Sequence, residues 1–177
     1  GKSYVANNFG YPVFNADNEV SMLYEKDRKI FNKLNKKFPD FIFTFPINKL
    51  EIIKAILSSK SNLKKINRIV HSEVRNKLKL FIRKNKKRKI IILDIPLLLE
   101  NKINKKKDIL VYVESKKKDV RKRIEKRLNF QPKLLKKFKK IQYNNSYKKR
   151  ISNFVIKNDF TKKSVKNGIK GILNKIL

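Results

Sequence analysis

The sequence contains no cysteine and a single histidine, and these two scarcities exclude several kinds of chemistry. Without cysteine the chain cannot form a disulfide scaffold, a thiolate metal site or a cysteine nucleophile. One histidine cannot supply a zinc site built from several imidazoles. No apolar run approaches the roughly 20 residues that cross a bilayer, and no signal peptide is visible. The sequence therefore predicts a soluble protein with a cytoplasmic location.

Acidic residues are also scarce, because 14 Asp and Glu oppose 48 Lys and Arg and leave a net charge of +34. A nucleic-acid binder concentrates such charge on one face or tail, whereas these lysines are spread along the whole chain. Abundant Lys, Asn and Ile with only four glycines fit A+T-rich coding, combined with attraction for small phosphorylated ligands. A polyanion partner is the alternative. We expect no membrane partner and no specific nucleic acid, and the sequence leaves the oligomeric state open.

The remaining composition favours a folded domain. Hydrophobic residues make up 40% of the chain and include 12 Phe and 6 Tyr, which is too many for a disordered tail. A length of 177 residues suggests a single domain, residues 1–177. Predicted strands lie at residues 12–17, 90–95, 108–113 and 153–156. Predicted helices lie at residues 2–9, 18–37, 47–57, 61–86, 117–128, 132–149 and 161–177.

The apolar run at residues 90–95 is typical of a strand buried on both faces of a parallel sheet. Strands that alternate with helices predict a three-layer α/β architecture with a parallel sheet. The helix at residues 61–86 has Ser61 or Asn62 as its N-cap, and the final helix has Thr161 or Ser164.

The chain opens with Gly1-Lys2-Ser3, the last three residues of the phosphate-binding pattern G-x-x-x-x-G-K-[ST]. In that motif glycine lets the backbone approach the phosphates, lysine reaches the β- and γ-phosphates, and serine binds Mg²⁺. In a lysine-rich chain the triplet alone is weak, but a helix and then a strand ending at Asp17 follow it. Because the chain begins inside the motif and without Met, we expect an upstream strand and the glycine-rich half of the loop to be missing.

Six blocks of the sequence, taken in order, resemble those of the dephospho-CoA kinases. The most distinctive is the block at residues 93–100, Leu-Asp-Ile-Pro-Leu-Leu-Leu-Glu, which matches the family's D-x-P-L-L-[FV]-E. The others are residues 1–6 (G-K-S-T-V-A in the family), residues 13–17 (V-I-D-A-D), residues 63–71 (a segment ending in H-P), Arg123 with Arg127 (R-x-x-x-R), and Gln142 with residues 154–158 (V-I-x-N).

The resemblance implies a P-loop fold with a helical acceptor-binding insertion at residues 18–86 and a lid at residues 117–149. It implies transfer of the γ-phosphoryl group of ATP, with Mg²⁺, to the ribose 3′-hydroxyl of dephospho-CoA. The alternatives are another P-loop nucleoside or nucleotide kinase, against which the block at residues 93–100 argues, and a basic RNA-binding protein. The latter explains the charge but neither the apolar strands nor the ordered motifs.

The resemblance also assigns roles to individual residues. Asp17 accepts the proton of the hydroxyl group, and Ser3 and Asp94 hold the metal ion. The alternative for Asp17 is an N-cap of a helix beginning at residue 18. The alternative for Asp94 is a turn residue after its strand. The implied ATP-binding residues are Gly1, Lys2, Ser3, Tyr4, Gln142 and Asn158.

Further roles concern charge neutralisation and the acceptor. With Lys2, the helical neighbours Arg123 and Arg127 neutralise charge on the triphosphate, although in this chain an arginine is more often merely solvated. The implied acceptor-binding residues are His71, Leu98 and Glu100. The alternatives are a satisfied histidine at a helix kink and a solvated glutamate at a helix end.

Four positions depart from the family's pattern. Asn15 replaces an aspartate, Ser21 an arginine, Tyr4 a threonine and Ser72 a proline. These changes leave the implied ATP-binding motif recognisable, and we expect them to affect the affinity for the acceptor. Nearby lysines restore charge where the arginine is missing, but a lysine cannot copy its bidentate fork.

Overall fold

The structure, a computed structural model, describes residues 1–126 and 130–177. The described strands are β1 (Val13–Asn15), β2 (Ile92–Asp94), β3 (Val111–Glu114) and β4 (Phe154–Lys157). The described helices are α1 (Lys2–Asn7), α2 (Ala16–Lys26), α3 (Arg28–Lys37), α4 (Lys49–Ser58), α5 (Asn62–Lys84), α6 (Lys117–Glu125), α7 (Pro132–Ile141), α8 (Asn145–Arg150) and α9 (Lys162–Ile176). Within these ranges no helix is both long and apolar enough to cross a bilayer.

The chain divides into two compact units. The α/β unit comprises Gly1–Val13, Ile92–Phe130 and Lys139–Leu177, and the helical unit comprises Phe14–Ile91 and Gln131–Phe138. The helical unit thus contains the predicted insertion at residues 18–86 together with part of the predicted lid. The functional roles predicted for those two regions stay predictions.

The described strands form two sheets of two strands each. Strands β3 and β4 are parallel, and their register pairs Val111 with Phe154 and Glu114 with Lys157. Strand β2 neighbours β1, and the backbone N–H of Ile92 donates to the carbonyl oxygen of Pro12 at 2.9 Å. Parallel strands joined through helices confirm the predicted α/β class.

One hydrophobic core holds the α/β unit together and brings α1 and α9 against the strands. Its buried members are Val5, Phe9, Ile156, Val165, Ile169 and Ile172. Half-buried residues of β2, β3 and β4 pack against the same core. Because Val5 lies one turn after the Gly-Lys-Ser triplet, its burial fixes the start of α1 beside the strands.

A separate core fills the helical unit. The predicted apolar stripe of α5 supplies three of its buried members, Leu63, Ile66 and Val70, as the helical periodicity requires. Leu134 and Phe138 of α7 pack against this core, and the Lys137 ammonium donates to the carbonyl oxygens of Ile56 and Ser59. These carbonyls lie at the end of α4, so the lysine caps that helix terminus.

Two helices predicted as continuous are each broken by a capping side chain. The region at residues 18–37 forms α2 and α3, because Asp27 leaves helical geometry and its carboxylate accepts from the N–H of Ile30 at 3.0 Å. The region at residues 132–149 forms α7 and α8, and Asn144 caps α8 by accepting from the N–H of Ser146. Capping groups inside an uninterrupted apolar pattern compete with the helix for backbone N–H groups.

The predicted strand at residues 90–95 is shorter and less buried than expected. In β2 the apolar residues Ile92 and Leu93 are half-buried, whereas Asp94 is buried. The expectation of apolar burial on both faces is therefore wrong for the described chain, in which β1 is the only strand beside β2.

The final helix is capped as one of the two predicted alternatives. Thr161 is the N-cap of α9, and its hydroxyl accepts from the N–H of Ser164. Ser61, by contrast, precedes α5 without a side-chain capping bond. Asp159 reinforces the α9 cap, because its carboxylate accepts from the Ser164 hydroxyl and from the N–H and hydroxyl of Thr161.

We expect Asp159→Asn to lower stability at neutral pH and to have little effect in strong acid. The Ser164 hydroxyl first, then the Thr161 N–H and hydroxyl, lower the pKa of Asp159 from 3.8 to about 2. A carboxylate with a depressed folded-state pKa stabilises above its unfolded pKa and loses that effect as the pH falls from about 4 to about 2. Urea unfolding of both proteins from pH 7 to pH 2 measures the difference. Asp119→Asn, in the first turn of α6, is the control, and a difference that does not shrink with acid contradicts the assignment.

Candidate active site

The Gly-Lys-Ser triplet lies at the start of α1 in the α/β unit. Gly1, Lys2, Ser3 and Tyr4 are all exposed, and α1 packs against β2. A Cβ atom added to Gly1 would lie 3.3 Å from Nδ2 of Asn158, which is tighter than most such contacts. Glycine is therefore the residue that fits this position without displacing the buried asparagine.

Asn158 follows β4 and is only 2% exposed. Its backbone N–H donates to the carbonyl oxygen of Glu114 at 2.7 Å, and its Oδ1 accepts from the N–H of Phe160 at 2.9 Å. Its Nδ2, which faces Gly1, has no hydrogen-bond acceptor among the described residues. Leaving a buried amide donor unpaired costs about 1–3 kcal/mol, so this position favours an acceptor atom beside Gly1.

Asp94 ends β2, the strand against which α1 packs. The residue is only 7% exposed, although it carries a carboxylate. Its side chain thus places a buried carboxyl group at the end of the strand that packs against the helix bearing Lys2 and Ser3. Among the described residues no cluster of three or more acidic or histidine side chains forms a protein-only metal cage.

Glu100 lies in the turns that follow β2, and its side chain is only 8% exposed. Its Oε1 accepts from the Lys148 ammonium at 2.7 Å and from the Tyr143 N–H at 2.9 Å. Burial opposes ionisation, but these partners outweigh it and hold the pKa of Glu100 below its ordinary value. The alternative of a solvated helix-end acid is therefore wrong, because the carboxylate joins this turn to α8.

Two other predicted residues lie close to that ion pair in the chain. Leu98 is half-buried, and its carbonyl oxygen accepts from the N–H of Ile103 at 3.0 Å within the same turns. Gln142 is exposed and precedes Tyr143. The structure thus places Leu98 in an ordered turn and Gln142 beside the residue that binds Glu100.

Arg123 projects from α6 and lies over an aromatic ring, and it forms no ion pair with an acid in the part of the chain that the structure describes. Its Cζ atom lies 4.0 Å from the centroid of the Phe160 ring. On the same helix Arg121 pairs with Glu125, with Nε 2.8 Å from Oε1. Arg127, the predicted partner of Arg123, lies outside the described residues.

Asp17 and His71 belong to the helical unit. Asp17 is exposed in the first turn of α2 and does not end the strand. Its prediction as a possible N-cap is wrong, because Asn15 is the N-cap and accepts from the N–H of Asn18 at 2.8 Å. The substitution of asparagine for the family's aspartate at position 15 thus retains a side chain that caps the helix.

His71 is half-buried within α5, and no break in the helix occurs there. Burial, followed by the positive charge of Arg75, lowers the pKa of His71 below 6.5. This shift favours the neutral form of the imidazole over the charged form.

Sequence reasoning missed Phe160, Lys148 and Tyr143. For Lys148 and Tyr143 no local pattern exists, because each meets Glu100 across a long stretch of chain. The loop around Phe160 does carry a signal, since an Asn-Asp pair before Thr161 is typical of a turn held by its own side chains.

Solved structures share this arrangement of strands and helices. TT1252 from Thermus thermophilus superposes with a TM-score of 0.73 at 18% identity, and the match covers 99% of this chain and 90% of that one. Dephospho-CoA kinase from Campylobacter jejuni gives a TM-score of 0.61 at 19% identity, covering 98% and 88%. At these identities the likeness shows that the chain shares the α/β fold of these two structures.

The sequence comparisons narrow the class to a family. The family model described as Dephospho-CoA kinase matches residues 1–164. A dephospho-CoA kinase of Wolbachia pipientis wMel is 34% identical, over 99% of this chain and 92% of the relative. One of Wolbachia sp. subsp. Brugia malayi is 33% identical over the same shares. The chain belongs to the dephospho-CoA kinase family and is a kinase, an enzyme of the transferase class.

Proposed function

We propose that this chain transfers the γ-phosphoryl group of ATP to the ribose 3′-hydroxyl of dephospho-CoA and so forms coenzyme A. The observation that carries the proposal is the family match over residues 1–164, which spans every residue assigned to the site. The comparisons favour neither a nucleoside kinase nor an RNA-binding protein. A cytoplasmic location stays a prediction.

The α/β unit supplies the proposed ATP site. Lys2 binds the β- and γ-phosphates, Gly1 admits them to the backbone, and Tyr4 contacts the nucleotide from the same helix. Support comes from the packing of α1 on β2 and from the tight fit of Gly1 against Asn158. Gln142 and Asn158 bind the nucleotide through their amide groups, and the buried Nδ2 of Asn158 is a donor suited to an oxygen or ring nitrogen acceptor.

Ser3 and Asp94 are the residues that would hold Mg²⁺. A hydroxyl and a carboxylate are oxygen ligands of the kind this cation prefers, and Mg²⁺ usually keeps waters and phosphate oxygens instead of a full protein cage. The described residues fit that description, since they offer the buried Asp94 and no cluster of three or more ligands. When bound, the ion would supply positive charge that neutralises the negative charge developing on the phosphoryl group during transfer.

Asp17 and Arg123 carry the proposed chemistry of the transfer step. The Asp17 carboxylate accepts the proton of the attacking hydroxyl group and orients it toward the γ-phosphorus. Arg123 directs its N–H donors at the triphosphate, and Arg127 acts with it. Because the transition state is loose, positioning and charge neutralisation supply most of the rate enhancement.

The acceptor is held by His71, Leu98 and Glu100 in this proposal. His71 contributes as a neutral hydrogen-bonding group, because its pKa is lowered by burial and by Arg75. One Glu100 oxygen, Oε1, is engaged by Lys148 and Tyr143, so this residue fixes the turn that carries Leu98. Glu100 thus shapes the acceptor site by holding its backbone.

The acceptor is tested by offering the full-length protein Mg²⁺ and ATP with one of three compounds. We expect rapid ADP formation with dephospho-CoA, a much slower rate with adenosine, and none above background with coenzyme A, whose 3′ position is already phosphorylated. Phosphorus NMR of the product shows whether the new phosphomonoester is on the 3′ oxygen of the ribose. Comparable rates with adenosine and dephospho-CoA would assign the chain to nucleoside phosphorylation instead.

A further inference from the structure

Phe160 occupies a backbone conformation that its side chain does not favour. Its φ angle is 69°, in the left-handed region where a Cβ atom crowds the neighbouring carbonyl oxygen. For a bulky residue this conformation is an outlier, whereas glycine adopts it at little cost. Asn158 holds the strained residue in place through the hydrogen bond between its Oδ1 and the Phe160 N–H. The loop thus carries an aromatic residue at a position where glycine would adopt the backbone conformation with less strain. Residues in such strained conformations cluster at functional sites.

The ring of Phe160 contacts the guanidinium group of Arg123. With Cζ 4.0 Å from the ring centroid, the guanidinium group is within the range of a cation–π contact. A cation–π contact does not take up the five N–H donors of the guanidinium group in the way that hydrogen bonds to a carboxylate would. No carboxylate in the described part of the chain forms an ion pair with Arg123, whereas Arg121 on the same helix is bonded to Glu125. The ring therefore fixes the arginine while leaving its donors for an anion.

The same loop meets the start of the phosphate-binding triplet. Asn158, which anchors Phe160, directs its unpartnered Nδ2 toward Gly1. One short segment thus contacts both the first residue of the triplet and, through Phe160, an arginine of α6. All of these residues belong to the α/β unit.

We propose that Phe160 is a positioning residue that orients Arg123 toward the phosphoryl groups of ATP bound beside Gly1. The role rests on the proposed function, in which Arg123 neutralises charge on the triphosphate. Phe160 itself need not touch the nucleotide, because it acts through the arginine.

A double-mutant cycle on the full-length protein tests the coupling. Its members are the native protein, Phe160→Leu, Arg123→Leu and the double variant. Affinity for Mg²⁺ and ATP is measured calorimetrically without acceptor, and kcat is measured with dephospho-CoA. We expect Phe160→Leu to lower ATP affinity or kcat by about three- to thirtyfold, the range that a cation–π contact corresponds to, and to leave KM for dephospho-CoA unchanged. In the Arg123→Leu background the same substitution should have no further effect.

Three further variants separate positioning from folding. Phe160→Gly removes the ring and relieves the strained φ angle, so it should match Phe160→Leu in activity without a lower Tm than that variant. Phe160→Trp keeps a strong cation–π face and should restore most of the loss. Arg121→Leu, which breaks an exposed ion pair on the same helix, should stay within about twofold of the native protein.

Two results overturn the inference. Native activity and ATP affinity in Phe160→Gly and Phe160→Leu would show that the ring orients nothing. Losses that multiply in the double variant would show that Phe160 acts independently of Arg123. If the native protein fails to phosphorylate dephospho-CoA, the proposed function falls, and the ATP-binding cycle still decides the role of Phe160. If the native protein is active and the losses of the two single variants multiply in the double variant, the proposed function is supported and the positioning role of Phe160 is contradicted.

Discussion

Replacing Asp17 with asparagine should lower kcat by about 10²- to 10⁴-fold while the affinity for ATP stays near that of the native protein. Asparagine has nearly the same shape but cannot accept the hydroxyl proton or attract it by charge. Asp17 is exposed in the first turn of α2, so little packing depends on it. The measurement is kcat with dephospho-CoA, combined with calorimetric binding of ATP.

Glu19→Gln is the matched control for this experiment. Glu19 lies in the same first turn of α2, so its charge interacts with the helix dipole much as that of Asp17 does. It also forms a half-buried ion pair with Lys77 at 3.3 Å. The control should retain kcat within a few-fold. Near-native turnover in Asp17→Asn would remove this carboxylate from the mechanism, whereas equal losses in both variants would reveal a helix-stability effect.

Replacing Lys2 with alanine should weaken ATP binding and lower kcat together. A hydrogen bond to a charged phosphate contributes about 1.5–3 kcal/mol, which corresponds to a loss of about ten- to a hundredfold. The effect must come from position, because removing one lysine changes the net charge only from +34 to +33. Lys2→Arg keeps the charge but not the compact ammonium group, and should fall between the native protein and the alanine variant.

Lys162→Ala tests whether any exposed lysine of the α/β unit has this effect. Lys162 lies in the first turn of α9, as Lys2 does in α1, and both are exposed. We expect its ATP affinity and kcat to equal those of the native protein at moderate ionic strength. Equal losses in the two alanine variants would mean that diffuse charge, rather than a phosphate contact, explains the binding.

The order and type of the elements could be predicted because each has a strong local pattern. The stripe of α5 repeats at helical spacing, and Leu63, Ile66 and Val70 are buried accordingly. The breaks after α2 and after α7 were missed, because Asp27 and Asn144 act through capping geometry that an apolar pattern does not reveal. Periodicity reports which face is buried, and side chains at helix ends decide where the helix stops.

The candidate site likewise contains features that have a local sequence pattern and contacts that have none. The Gly-Lys-Ser triplet and the acid at the end of β2 follow each other in recognisable order, so their types were predictable from the sequence. Two contacts were not predictable from the sequence, because each joins segments far apart in the chain. They are the ion pair of Glu100 with Lys148 and the contact of Arg123 with the Phe160 ring. The left-handed conformation of Phe160 was equally hidden, since phenylalanine gives no hint of a positive φ angle.

The helical unit is not one continuous stretch of chain, and this has a practical consequence for dissecting the protein. Residues 131–138 return to it and bring Leu134, Phe138 and the lysine that caps α4. A fragment ending near residue 91 would uncover the apolar surface that these side chains protect and would leave the α4 carbonyls without Lys137. Such a fragment should be prone to self-association, so an isolated version needs residues 131–138 joined to it through a designed linker.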